Sequence, residues 1–177
     1  MWGLLIAEVA MVFILSARIM KMSFLSAGLF FAAYAILNGG TLSFIFLAYT
    51  AQSIAQTFFI TAGTFGAMSL VGFFVKKDLS TMGRVLYMLL IGLIIATVVN
   101  IFVASSGLAM ILNYVGVIIF VGLTAYDTQK IKQMMLAYSA AGITDQTNKL
   151  ALLGSLTLYL DFINLFLYLL RFFGDRK

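Results

Sequence analysis

The sequence contains no cysteine, no histidine and no proline, and only 10% of its 177 residues are charged. The absence of cysteine excludes disulfides and thiolate chemistry. The absence of histidine removes both the usual zinc ligand and the usual general base near neutral pH. Because proline is absent, any kink in a helix must arise at glycine or at polar residues.

The low charge content places the chain in the membrane. Soluble domains carry about 25% charged residues, whereas this chain is 63% hydrophobic, with a mean hydropathy of +1.11. Its length suits about six spans of roughly 20 residues and leaves no room for a soluble catalytic domain. We therefore predict a single polytopic, all-α domain in a lipid bilayer. The net charge of +5 does not indicate nucleic-acid binding, because the basic residues lie at span ends.

Continuous apolar runs mark the membrane spans. They do not alternate with polar residues, which favours helices over a transmembrane barrel. We predict six spanning helices, at residues 2–17, 24–48, 53–75, 85–104, 108–126 and 150–170.

The basic residues fall in alternate loops, and this pattern predicts the orientation. Three loops at one end carry Arg18, Lys21, Lys76, Lys77, Arg84, Lys130, Lys132 and Lys149. That end is predicted to be cytoplasmic. The C-terminal tail breaks the pattern, because six crossings place its basic residues at the opposite end. The sequence leaves two explanations open: the last span crosses against the rule, or it is partly re-entrant.

Two isolated acids, Asp127 and Asp161, lie in or beside apolar runs. A carboxylate at bilayer depth costs a few kcal/mol or more. Asp161 lies eleven residues beyond Leu150, about 16 Å along a helix, and it therefore needs a proton, a cation or hydrogen-bond donors. Asn164 follows three residues later and shares its helix face.

The other polar residues near the spans are Glu8, Arg18, Asn100 and Arg171. Arg18 ends the first span at the predicted level of Asp127, so a pair between the two helices is geometrically reasonable. The alternative is that Asp127 pairs in solvent with a lysine three residues later, which contributes a few tenths of a kcal/mol. Spacing does not decide between them.

No enzyme motif is present. The sequence lacks a histidine-based metal set, a serine–histidine pair, a Walker loop and a dinucleotide-binding glycine loop. Asp127 and Asp161 are the only pair available to an intramembrane aspartyl protease, but the GxGD-type motif of that class is missing. We therefore predict that the chain is not an enzyme and has no cofactor.

Three segments resemble the Bax inhibitor-1 family, especially its bacterial branch: MSLVGFFVKKDLSTMG, GLTAYDTQKIK and LYLDFINLFLYLLRFFG. The similarity runs from about residue 17 to residue 176. The resemblance implies a bundle of seven helices with the last helix at its centre, and a location in the bacterial cytoplasmic (inner) membrane. Six apolar spans are present here, and the one without a counterpart is the family's first.

The resemblance also implies a function, that of a pH-sensitive calcium leak channel. Asp127 and Asp161 match the hydrogen-bonded aspartates of the family, which would sense pH and hold permeant Ca²⁺ transiently. Arg18 matches an arginine that latches the pair, and Glu8 matches a glutamate on the path. The pore-lining candidates are Glu8, Asn100 and Asn164.

The predicted depths conflict with that pairing. They place Asp161 near the midplane and Asp127 near the inner end. Contact between the two requires either a tilted fifth span or a sixth span that begins deeper than Leu150.

Two other functions stay open at this point. Relatives are associated with a membrane-anchored ATP-dependent protease and with suppression of cell death, which implies a regulatory protein that binds another membrane protein and transports nothing. A proton-coupled transporter using Glu8 and Asp161 is the third reading, and the absence of an inverted repeat counts weakly against it.

Overall fold

The computed structural model describes residues 10–12, 14, 17–142 and 144–177, without the side chains of residues 20, 144 and 145. Most of the first predicted span, including Glu8, lies outside the described residues. The other five predicted spans lie within them.

Within the described residues, the regular secondary structure is helical, apart from one isolated β-bridge between Tyr49 and Arg176. A 3₁₀ turn at Ile19–Lys21 precedes six helices: α1 (Phe24–Leu42), α2 (Ile45–Ala48), α3 (Ala51–Phe74), α4 (Ser80–Val103), α5 (Ser106–Ala140) and α6 (Thr144–Phe173). Counting α1 and α2 as one segment, five segments are long and apolar enough to cross a membrane. The prediction of an all-α membrane protein is confirmed.

Polar side chains cap the helices that follow the two uncharged gaps between predicted spans, at residues 49–52 and 105–107. The side chain of Thr50 caps α3 by accepting a hydrogen bond from the backbone N of Ser53 at 3.2 Å. The side chain of Ser105 caps α5 in the same way through the backbone N of Leu108, also at 3.2 Å. Ala104, before it, adopts a left-handed conformation with φ of +52°, which turns the chain between α4 and α5.

Helices α5 and α6 extend well beyond their predicted spans. The fifth span was expected to end at residue 126, but α5 continues to Ala140, and α6 begins at Thr144 instead of residue 150. At 35 residues, α5 is about 52 Å long, against a hydrocarbon core of about 30 Å. The apolar run ends early, but apolar side chains such as Ile131 continue at helical spacing and pack on α6.

Helix α6 lies at the centre of the described bundle, as predicted. It contacts α1, α3, α5 and the 3₁₀ turn. It also contributes buried residues to three separate apolar clusters. Leu156 packs in the cluster of Ile19, Leu165 in the cluster of Leu86, and Leu170 in the cluster of Ile54.

The C-terminal tail lies against the loop between α2 and α3. The carbonyl of Asp175 accepts a hydrogen bond from the N of Thr50, and the N of Lys177 donates to the carbonyl of Ala48, both at 3.1 Å. Helix α6 is therefore one continuous helix from Thr144 to Phe173 whose C-terminal end reaches the α2–α3 loop, an arrangement that fits a last span crossing against the charge rule. The basic tail lies at the end of the bundle opposite the basic loops.

Candidate functional site

The hairpin of α5 and α6 brings the two isolated acids together. Asp127 and Asp161 line the same cavity and lie close enough for their carboxyl groups to interact, and the two residues are only 2% and 5% exposed. Residues at similar distances from the connecting turn face each other, as shown by Gly154 against Ile131. The expected difference in depth was wrong because α5 does not end at Tyr126. Its extension carries Asp127 into the interior of the hairpin.

Close helix packing surrounds the pair. Gly72 of α3 lies directly against the backbone of Ala125, two residues before Asp127, and a Cβ atom at position 72 would overlap the Ala125 carbonyl oxygen. Only glycine permits this approach of two helix backbones.

Helix α4 supplies a third polar group, the hydroxyl of Tyr87. It lies 3.1 Å from both carboxylate oxygens of Asp127 and donates to them. The Tyr87 ring packs edge-to-face on Tyr126, with centroids 6.0 Å apart. Tyr87 was not among the residues predicted from the sequence. The available signal was a phenol within an apolar helix, since a tyrosine hydroxyl in apolar surroundings usually finds a hydrogen-bond partner.

A cavity of about 370 Å³, called here the central cavity, contains both acids. Its other lining residues are Tyr87, Leu90, Ile94, Phe120, Leu123, Thr157, Leu160, Asn164 and Tyr168. The Oδ2 atom of Asp161 is buried and has no hydrogen-bond partner among the described residues. An unsatisfied buried polar atom costs about 1–3 kcal/mol, so this oxygen is available to a proton or a cation.

Two smaller cavities share walls with the central one. The inner cavity, about 100 Å³, shares Tyr87, Asp127 and Thr157 and continues towards the α5–α6 turn past Lys130. The tail-end cavity, about 230 Å³, shares Tyr168 and contains side chains near the C-terminus. The three cavities follow one another along α5 and α6.

The two predicted asparagines lie in different cavities. Asn164 lines the central cavity, and its amide donates to the Leu160 carbonyl at 2.8 Å. Asn100 lines the tail-end cavity, where its Oδ1 accepts from the N of Ser105 at 3.1 Å.

The basic residues considered as partners of Asp127 lie elsewhere. Arg18 is exposed, although the next residue, Ile19, is fully buried in the same cluster as Leu156. Lys130 lies over the Tyr126 ring at 5.8 Å. In the part of the chain that the structure describes, neither Arg18 nor Lys130 forms an ion pair with Asp127.

The donor set suits a cation held weakly. Within the described residues, no group of three or more acidic, histidine or cysteine side chains converges. Two carboxylates, with the Tyr87 hydroxyl and the Asn164 carboxamide nearby, fall short of the six to eight oxygens that Ca²⁺ takes in a resident site. The described donor set is therefore too small for a resident Ca²⁺ site.

Replacing Tyr87 with phenylalanine should destabilise the protein. The change removes the only hydroxyl that bonds Asp127 among the described residues, and we expect a loss of about 1–3 kcal/mol in the free energy of unfolding. Tyr114→Phe is the matched control, because the Tyr114 hydroxyl makes no hydrogen bond within the described residues and its ring is, like that of Tyr87, partly exposed. Thermal unfolding in detergent measures both. Equal melting temperatures for the two variants would contradict the role assigned to the Tyr87 hydroxyl.

Known proteins similar to this chain match it over almost its whole length. The family model described as "Inhibitor of apoptosis-promoting Bax1" matches residues 1–177. The inner membrane protein YbhL of Escherichia coli K12 is 53% identical over 175 residues, covering 99% of this chain and 74% of that protein. A protein of Borreliella burgdorferi is 48% identical over 177 residues, covering 99% of this chain and 75% of its own.

The match covers the elements that build the site. The family model includes all of α4, α5 and α6, and the E. coli relative aligns over almost the same length. Five membrane-length segments in the described residues fit the same assignment. The chain therefore belongs to the Bax inhibitor-1 family and is a multi-pass protein of the bacterial inner membrane.

Proposed function

We propose that this protein is a non-enzymatic, pH-sensitive calcium leak whose path passes the Asp127–Asp161 pair. The observation that carries the proposal is two carboxyl groups in contact within a cavity of about 370 Å³ in the membrane-spanning bundle. A buried carboxyl pair is costly in a membrane protein and usually marks an ion or proton path.

The number of protons on the pair sets its charge. Two neighbouring carboxyl groups cannot both ionise without a large electrostatic cost, so the pair carries at most one negative charge until its last proton leaves. Removal of the last proton leaves two adjacent carboxylates, which repel each other and attract a divalent cation. The protons leave in two steps that belong to the pair and not to either residue. Such a pair converts a change in pH into a change in local charge.

The cavities support a route along α4, α5 and α6. The inner and central cavities share three lining residues, Tyr87, Asp127 and Thr157. Because Tyr87 bonds Asp127 directly, a change in the charge of the pair acts on one of the side chains that separates the cavities. Side-chain movement at Tyr87 would join the inner and central cavities.

Calcium flux into dye-loaded liposomes, measured across a pH series, tests the proposal. We expect purified protein to pass Ca²⁺ at a rate that changes with pH, relative to protein-free liposomes made from the same lipid. If protein shown by circular dichroism to be folded gave no calcium flux at any pH, the proposal of a leak would be wrong. That outcome would favour the alternative of a regulatory protein that acts by binding another membrane protein.

A further inference from the structure

The basic residues at the tail end have no role in the proposed leak, and their position is unusual. Three of the chain's 11 basic residues lie in this tail, opposite the basic loops. Within the described residues, neither Arg171 nor Arg176 forms an ion pair. The neighbouring acid, Asp175, is engaged elsewhere, because its Oδ2 accepts a hydrogen bond from Ser53 Oγ at 3.3 Å.

Both arginines line the tail-end cavity of about 230 Å³, together with Asn100 and Asn113. The side-chain Oδ1 of Asn100 already accepts a hydrogen bond from the backbone N of Ser105. The side-chain NH₂ of Asn100 is therefore the group left to bind a ligand. The cavity lining contains no carboxylate. The site is therefore rich in hydrogen-bond donors and positive charge, a composition that suits an anion and disfavours a cation.

Each of the two guanidinium groups lies over an aromatic ring, although both arginines are exposed. Arg171 lies over the Tyr168 ring at 5.6 Å, and Arg176 lies over the Tyr49 ring at 6.0 Å. The residues on either side of Arg176 make 3.1 Å backbone hydrogen bonds to the α2–α3 loop, which fix the main chain of Arg176. Groups ordered before binding lose less conformational entropy when a ligand arrives.

We infer that the tail-end cavity binds an anion of the phosphate type, through Arg171, Arg176 and the carboxamides of Asn100 and Asn113. Guanidinium groups match phosphate oxygens in pairs of parallel hydrogen bonds. At about 230 Å³ the cavity is smaller than those that hold drug-sized ligands, about 300–1,000 Å³, which suits a phosphate group. The phosphate belongs either to a lipid headgroup at the membrane surface or to a small soluble compound.

Two binding measurements on the full chain in detergent distinguish the sources. Isothermal titration with inorganic phosphate, at constant ionic strength, tests the soluble source. Native mass spectrometry after exchange into phosphatidylglycerol or phosphatidylcholine tests the lipid source. We expect Arg171→Gln and Arg176→Gln each to weaken binding at least about tenfold, because each removes a charge-assisted contact.

Matched variants separate a specific site from a general effect of charge. Lys177→Gln removes one charge from the same tail, but its Nζ bonds the Phe46 carbonyl at 2.8 Å and Lys177 does not line the cavity. It should change binding less than about twofold. Asn113→Ala keeps the net charge and should still weaken binding severalfold, which covers the case in which the arginine variants fold poorly.

Each outcome decides the inference. Phosphate binding that is lost in the arginine variants supports a soluble anion, and phosphatidylglycerol retention lost in the same variants supports a lipid headgroup. Absence of both kinds of binding in the wild-type protein would overturn the inference. Binding that weakens equally in Lys177→Gln and in the arginine variants would overturn it as well.

Discussion

Replacing Asp161 with asparagine is expected to reduce calcium flux at least about tenfold at the pH where wild-type flux is greatest. Two unit charges about 4 Å apart attract each other by roughly 4 kcal/mol at an effective dielectric constant of 20. Loss of one of two carboxylates therefore removes much more than the 1.4 kcal/mol that corresponds to a tenfold change. The pH profile should also become shallower, because one titrating group remains where there were two.

Asp161→Asn should leave the fold intact. An asparagine amide donates a hydrogen bond to Asp127 without requiring a shared proton, so the contact between α5 and α6 survives. Circular dichroism and thermal unfolding would confirm this before flux is compared.

Asp78→Asn is the matched control, with the same chemical change in an exposed loop. Hydrogen bonds from the side chain and backbone of Ser80 hold the pKa of Asp78 below its usual value, so this carboxylate stays ionised around neutral pH. Its replacement should leave the flux profile unchanged. If Asp161→Asn matched Asp78→Asn in both rate and pH dependence, Asp161 would have no part in the path.

Replacing Gly72 with alanine should destabilise the bundle and disturb the site together. The added Cβ would overlap the carbonyl oxygen of Ala125, and backbone atoms cannot rotate out of the way as a side chain can. Helices α3 and α5 must separate two residues from Asp127, at a cost of about 1–3 kcal/mol in the free energy of unfolding. We expect both a lower melting temperature and altered calcium flux.

Gly66→Ala is the control for that substitution, on the same helix. No atom lies within 4 Å of the position that a Cβ at Gly66 would occupy. Alanine is about 1 kcal/mol more favourable than glycine inside a helix, so this variant should be neutral or slightly stabilised. Equal melting temperatures for the two variants would show that α3 and α5 do not meet closely at Gly72.

Much of the fold could be predicted from the sequence because the bilayer imposes simple rules. Uncharged runs of membrane length must be helices, since backbone groups in lipid have to be satisfied within the segment. The break at Ser105 could also be found, because two serines and a glycine at residues 105–107 interrupt an apolar stretch, and a serine can cap the next helix. The pairing of Asp127 with Asp161 came from the family resemblance and not from the predicted depths.

The depth of Asp127 could not be predicted from apolar composition. The apolar run ends near Tyr126, but the helix follows its packing on α6 and ends only at Ala140. Where a helix ends depends on its contacts and caps, whereas hydropathy reports only which part of it lies in lipid. The depths inferred from the runs alone therefore set the two acids too far apart.

The hydrogen-bond partner of Tyr87 and the position of the C-terminal tail also depend on tertiary contacts. The chain contains eight tyrosines, and spacing along α4 does not show which hydroxyl reaches a carboxylate on another helix. The position of the tail against the α2–α3 loop depends on hydrogen bonds between segments more than 120 residues apart, such as that from the backbone N of Asp175 to the side-chain Oγ of Ser53. Such contacts leave no local pattern in the sequence.

The most direct test of the proposed function is calcium flux against pH for the Asp127→Asn/Asp161→Asn double variant, reconstituted beside the wild-type protein and Asp78→Asn. We predict that wild type and Asp78→Asn share one pH-dependent profile. The double variant, which has no titratable group left at the pair, should give a rate that does not change with pH. A double variant that is folded and keeps the wild-type pH dependence would contradict the assignment of pH sensing to this pair.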